Sequence, residues 1–138
     1  MALTTTTHLN FDGDARAALE LYQHVFGGDL VVVTYAMAQS ADQVDDPERV
    51  MFGQVTSDDG FSVMAYDVQR GRSYAPGEHP VYVSVRSDSA EQAEAIWGRL
   101  AEGSTIITPY GPSQWSSGYG MATDRFGVTW FVDVAPQG

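Results

Sequence analysis

Few side chains in this 138-residue chain are equipped for covalent chemistry, and their types narrow the choices quickly. Cysteine is absent and all seven basic residues are arginines, so thiolate nucleophiles, disulfides, cysteine metal sites and lysine Schiff bases are excluded together. Three histidines remain. His24 falls late in a helical stretch, where a polar or cationic side chain is ordinary, and His8 and His79 sit near strand ends. Asp58 and Asp59 belong to a turn ending in Gly60, which with Asp67 makes a poor acid and base set. Asp12 and Asp14 flank Gly13 just before a helix, where capping by Asp14 is a sufficient explanation. A metal cluster of Glu78, His79 and Asp133 lacks an i, i+2 or i, i+4 ligand pattern, and solvated strand ends are the simpler reading. No Ser, His and Asp set stands at recognisable spacing, and the glycines of "YGPSQWSSGYG" precede no helix N-terminus that would hold an anion.

The formal net charge of −11 comes with scattered arginines, so the phosphate-neutralising patch of a nucleic-acid binder is missing. The acidic excess serves solubility. No apolar run approaches the ~18 residues of a membrane helix. The opening MALTTTTHLNF lacks the basic and apolar regions of a signal peptide, so a cytoplasmic protein is expected.

What the sequence offers in place of reactive groups is aromatic surface, and the elements that must position it are legible. "DARAALELYQHVFGGD" sets Ala15, Ala18, Leu19, Tyr22 and Phe26 on one helical stripe, stopped by Gly27 and Gly28. "LVVVTYAM" reads as a strand, "AQSADQVDDPER" as a loop, and "VMFGQVTS" and "FSVMAYDV" as strands joined at Asp58-Asp59-Gly60. After the connection "QRGRSYAPGEHP" the order restarts. The strand "VYVSVRS" leads to a helix with Ala93, Ile96, Trp97 and Leu100 on one face and Gly103 as its stop, then to "STIITPYGP" and the ribbon "GYGMATDRFGVTWFVDV". Each half reads β, α, β, β, β, a repeat of pattern without evident identity. With 43% hydrophobic residues, one domain over 1–138 is expected, built of modules at about 3–68 and 78–135.

In the ribbon, a turn at Asp124-Arg125-Phe126-Gly127 sets Phe131 opposite Met121. Alternation then places Tyr119, Met121, Thr129, Phe131 and Asp133 on one face and sends Trp130 to the helix side. Leu9, Phe11, Met64, Tyr66, Val81 and Val83 are expected to join the first face. Trp115 lies in a Ser- and Gly-rich turn where no core residue is required.

The duplicated order, with "FDGDARAALELYQHVFGG" near the start, "VMAYDV" in the middle and Trp115 with "SSGYGMATDRFGVTWFVDV" at the end, resembles the vicinal oxygen chelate superfamily. That superfamily comprises glyoxalases, extradiol dioxygenases and bleomycin-type resistance proteins, and the chain is most similar to its PhnB-like branch. The 38–50 loop and the 69–80 connection lie outside the resemblance. It implies an α+β fold of two βαβββ modules whose curled mixed sheets surround a cavity, with helices on the convex side, and a homodimer. The superfamily's metal enzymes hold a divalent ion on the concave face, and their four ligand places register here at Thr7, Met64, Val81 and Phe131, none of them a good ligand. His8, one residue from Thr7, would point to the opposite face.

The expectation is therefore a metal-independent, cofactor-free protein that binds a small apolar or aromatic molecule. Trp115 and Tyr119 would stack on the ligand, Tyr66 and Thr7 would offer hydroxyls, and Leu9, Phe11, Met64, Met121 and Phe131 would complete the lining. The alternatives are a metal-dependent lyase or dioxygenase of the same superfamily, and a dimeric scaffold whose aromatic face is only core. The methyltransferase label sometimes attached to the branch gains no support, since no glycine loop follows a parallel strand.

Overall fold

The computed structural model describes residues 3–77 and 81–135. The chain divides into two compact units, Met1–Ala75 and Pro76–Gly138, called modules 1 and 2 below. Module 1 runs β1 (Thr7–Phe11), α1 (Ala15–Phe26), β2 (Asp29–Thr34), β3 (Val50–Thr56) and β4 (Ser62–Asp67). Module 2 runs β5 (Tyr82–Ser87), α2 (Ala90–Ala101), β6 (Thr105–Gly111), β7 (Tyr119–Thr123) and β8 (Thr129–Val134). This is the expected α+β fold of two βαβββ modules. The sheets are four-stranded and mixed, in the orders β1-β4-β3-β2 and β5-β8-β7-β6, each with one parallel pair at its start.

The repeat holds to the residue. Leu9, Ala65 and Gly53 form one row across the first sheet, and Val85, Val132 and Gly120 form the corresponding row of the second. Both glycines face their helix at close range. A Cβ at Gly53 would stand 2.3 Å from Leu19 Cδ1, and one at Gly120 would stand 2.9 Å from the Trp97 ring. Each helix thus lies against its sheet where a side chain has been left out.

In α1 the predicted stripe of Ala15, Ala18, Leu19, Tyr22 and Phe26 is buried, together with Leu21 and Val25, and Phe26 stacks on Phe61 at 3.8 Å between ring centroids. Gly27 and Gly28 end the helix with φ of 77° and 96°. Two expectations need correction. Asp14 precedes α1 but makes no side-chain capping bond. The carboxylate that accepts the free N–H groups there comes from Asp67 on β4, with Gly13 N and Ala15 N donating to Oδ1 at 2.7 and 3.1 Å. The strand read through "LVVVTYAM" ends at Thr34, because Tyr35 turns inward and donates its hydroxyl to the Asp67 carbonyl at 2.7 Å.

Candidate functional site

Each sheet has one face covered by its own helix and one face free of it, and the pairing register assigns every strand residue to one or the other. In module 2 the helix side carries Val83, Val85, Ala122, Trp130, Val132 and Val134, and Trp130 is wholly enclosed. Its indole N–H donates to Asp124 Oδ2 at 2.9 Å. The same Asp124 closes the predicted ribbon turn, accepting from Phe126 N and Val128 N through Oδ1, while Gly127 N donates to its carbonyl. Turn and core are therefore tied through one carboxylate.

The helix-free face of module 2 is the aromatic one. Phe131 pairs with Met121, and Tyr119 with Asp133, as the alternation predicts. Ring centroids step from Trp115 to Tyr119 at 5.2 Å and from Tyr119 to Phe131 at 4.9 Å, forming a continuous ladder, and the Tyr119 hydroxyl lies 3.6 Å from the Met121 sulfur. Trp115 is 53% exposed, whereas Tyr119, Met121 and Phe131 are half-buried. The turn that presents Trp115 is firmly built: Ser113 Oγ accepts from Trp115 N and Ser116 N, and the buried Ser116 hydroxyl lies 2.7 Å from both the Gly118 and Val134 carbonyls. Tyr110 packs beneath Gly118, and burial raises its hydroxyl above the ordinary value, with Glu94 and Asp133 adding to the effect.

Asp133 is not the solvated strand-end carboxylate expected. It is 1% exposed and held in a two-point pair, with Arg86 Nε donating to Oδ1 at 3.1 Å and Arg86 Nη2 to Oδ2 at 2.8 Å. The bond to Asp133 raises the guanidinium's affinity for its proton further. Arg86→Ala leaves that buried carboxylate without its cation, so its melting temperature should fall further below wild type than that of Arg99→Ala, as differential scanning fluorimetry would show. Glu78 and His79 of the weighed metal cluster lie outside the described residues.

Module 1 corrects the predicted grouping. β1 and β4 are parallel and pair Thr7 with Val63, Leu9 with Ala65 and Phe11 with Asp67, so Thr7, Leu9 and Phe11 share the helix side. Phe11 is buried there. Val83 is corrected in the same way, since it pairs with Trp130. Of the residues expected on the helix-free face of module 1, Met64 and Tyr66 are there. Their companions are His8 and Asn10 from β1 and Gln54 from β3. The His8 ring meets the Tyr66 ring edge-on at 5.1 Å, and His8 Nδ1 stands 3.0 Å from the Asn10 amide oxygen. An amide oxygen only accepts, so Nδ1 is the donor of this pair. Register places Ser84 of module 2 where His8 stands in module 1, since Ser84 pairs with Phe131 as His8 pairs with Met64.

A divalent ion of the kind held by the superfamily's metal enzymes needs three or four imidazole or carboxylate ligands. Among the described residues no group of three or more His, Asp or Glu side chains is placed to supply them. The helix-free faces offer His8 beside a thioether and amides in module 1, and a hydroxyl, a phenyl ring and an Arg-bound carboxylate in module 2. Neither face's donors fit the ion.

Comparison with known proteins places these faces in context. A sequence profile of the Glyoxalase/Bleomycin resistance protein/Dioxygenase superfamily matches residues 6–132. Protein YjdN of Escherichia coli K12 is 22% identical over 138 residues, 94% of each chain. Among solved structures, protein PA1353 from Pseudomonas aeruginosa is 31% identical with a TM-score of 0.85, covering 99% of this chain and all of that one. The PhnB protein from Bacillus cereus is 23% identical with a TM-score of 0.73, covering 96% of this chain and all of its own.

Proposed function

Since the chain belongs to the glyoxalase, bleomycin resistance protein and dioxygenase superfamily, and the described residues of its helix-free faces supply no metal-ligand set, we propose that it is a small-molecule-binding protein that holds an apolar or aromatic compound without a metal. The observation that carries this reading is the ladder of Trp115, Tyr119 and Phe131 with Met121 on the helix-free face of module 2. Aromatic rings arranged in steps, one end exposed and the rest half-covered, present π-faces to a flat ligand. Within module 1 the helix-free face carries Met64 and Tyr66 of the expected lining, with His8 and Asn10 in place of Thr7, Leu9 and Phe11.

A thermal-shift screen of aromatic metabolites and antibiotics, followed by titration of tryptophan fluorescence, tests the reading. Trp115→Ala should leave the melting temperature nearly unchanged and weaken an aromatic ligand by about 1 kcal/mol. Phe131→Ala should weaken the same ligand and also lower stability, because it opens a void. A ligand that binds both variants as it binds wild type would refute the reading.

Metal independence belongs to the same proposal and is checked separately. Elemental analysis of untagged protein should find no stoichiometric zinc, nickel, iron or manganese. A full equivalent of metal that disappears in His8→Ala would favour the lyase or dioxygenase alternative. We also propose a homodimer, because among the described residues each four-stranded sheet ends in edge strands with no further neighbour, and a second copy is the usual cover. Light scattering should return twice the 15.0 kDa chain mass. No helix among the described residues is long and apolar enough to cross a membrane, and the proposed setting is the cytoplasm.

A further inference from the structure

Two irregular segments of module 1, the loop between β2 and β3 and the stretch after β4, meet beyond the ends of β1 and β4. With the β1–α1 connection they border an open-sided pocket of about 320 Å³ whose lining includes Asp12, Val44, Arg49, Val68, Arg72 and Tyr74. Arg70 joins the two segments. Its Nε donates to Asp45 at 2.8 Å, its Nη1 to the Asp42 carbonyl at 3.2 Å and its Nη2 to the Val44 carbonyl at 2.8 Å, while its backbone N–H donates to the Gln43 carbonyl. Three of its five guanidinium N–H donors and its backbone N–H hold the loop, so Arg70 serves the structure.

The other donors are not spent. Arg49 gives one N–H to Asp12 at 2.7 Å, and a guanidinium has five. Among the described residues, Arg72 has no hydrogen-bond or ion-pair partner for its guanidinium, and the Tyr74 hydroxyl has none either. Arg72 also borders a second pocket of about 330 Å³, lined besides by Asp42, Gln43, Gln69 and Arg70, and makes no ion pair there. Burial, reinforced by Asp14 and Asp12, holds the Tyr74 hydroxyl above its ordinary value, which keeps it a donor at neutral pH. Asp12 and Asp45, the two carboxylates of the lining, are both paired to arginine. The lining therefore has unused donors, no unused carboxylate, one uncompensated cation and two valines.

We propose that this pocket binds the carboxylate of a small organic acid, with Arg72 as its principal cation, Arg49 and Tyr74 as further donors, and Val44 and Val68 against the apolar part. A planar carboxylate matches the two-pronged guanidinium fork. The volume lies at the small end of ligand pockets, which start at roughly 300 Å³. A single negative charge is what the lining balances: three guanidinium groups face two carboxylates. A phosphate dianion would bring a second charge against Asp12 and Asp45 in a chain of net charge −11.

The test is a titration of the full chain with isobutyrate, followed through the arginine Nε–Hε resonances, with isobutyramide as the neutral isostere and inorganic phosphate as the competing anion. The probes have no aromatic ring, so they do not report on the Trp115 face. Isobutyrate should shift the Arg72 and Arg49 resonances saturably, and isobutyramide should not. Arg72→Gln should weaken isobutyrate at least about tenfold, the effect of losing a hydrogen bond to a charged group. Arg99→Gln and Trp115→Ala should bind it as wild type does. Arg72 is exposed, so the variant keeps its fold, and unchanged amide dispersion verifies this. Equal responses to acid and amide, phosphate binding more tightly than isobutyrate, or an Arg72→Gln variant with unaltered affinity would each overturn the proposal.

Discussion

Trp130→Ala should lower the unfolding free energy by roughly 3–5 kcal/mol, the usual cost of truncating an enclosed aromatic side chain. Its urea midpoint should move down while the slope stays the same. Trp130 has no exposed surface and shares the helix side of the second sheet with Ala122 and Val83, neither large enough to fill the space left behind. The loss is also polar. Without the indole N–H, Asp124 Oδ2 gives up a 2.9 Å bond inside a residue only 4% exposed. That carboxylate organises the β7–β8 turn, so the damage should spread into the ribbon, with faster amide exchange at Phe126 and Val128. Trp130→Phe keeps most of the volume and should recover much of the stability without restoring the turn. Trp115, 53% exposed, supplies the contrast. Were Trp115→Ala the variant that unfolds and Trp130→Ala the silent one, the two faces of the second sheet would be exchanged and the aromatic ladder would be core.

How far the sequence carried this reading depends on the strand. In β8 the alternation of "TWFVDV" puts Trp130, Val132 and Val134 on one side, and all three are enclosed, so the ribbon's faces were legible from period alone. In β1 alternation alone does not say which face meets the helix. "THLNF" alternates Leu9 and Phe11 with His8 and Asn10, and the apolar pair belongs against the amphipathic helix that follows. Treating apolar residues as pocket lining reversed the strand and moved His8 off the face it occupies, because a one-residue step exchanges every side chain. β5 suffered the same exchange, which hid the pairing of Arg86 with Asp133. Element order, helix stripes and terminating glycines were readable because they are local. The register of β1 on β4 and of β5 on β8 was not, because a parallel pair brings together residues about 50 positions apart with no turn to set their alignment. Nor does sequence spacing reveal the joining of the β2–β3 loop to the stretch after β4 by Arg70, since three of its bonds go to backbone carbonyls or to a loop carboxylate.

Asp67 ties the start of α1 to the start of β3, and Asp67→Ala should lower stability by about 3–5 kcal/mol. Three backbone N–H groups depend on its side chain: Gly13 and Ala15 at the start of α1 through Oδ1, and Val50 at the start of β3 through Oδ2 at 3.0 Å. The residue is 1% exposed, so water does not readily replace it, and each orphaned donor costs roughly 1–3 kcal/mol. Asp67→Asn sets the lower bound on the damage. An amide oxygen turned toward Gly13 and Ala15 keeps two of the bonds but points an NH₂ group at the Val50 N–H, so that variant should fall between wild type and alanine. Hydrogen exchange discriminates the cause: Gly13, Ala15 and Val50 should lose protection in Asp67→Ala beyond the global change, and only Val50 should do so in Asp67→Asn. The effect should also reach the proposed carboxylate pocket. Arg49 immediately precedes Val50 and pairs with Asp12, which lies next to Gly13, so two lining residues hang from the segments that Asp67 ties together. Isobutyrate should therefore bind Asp67→Asn more weakly than wild type under conditions where both are folded. Unchanged affinity with a lowered melting temperature would confine Asp67 to holding the fold.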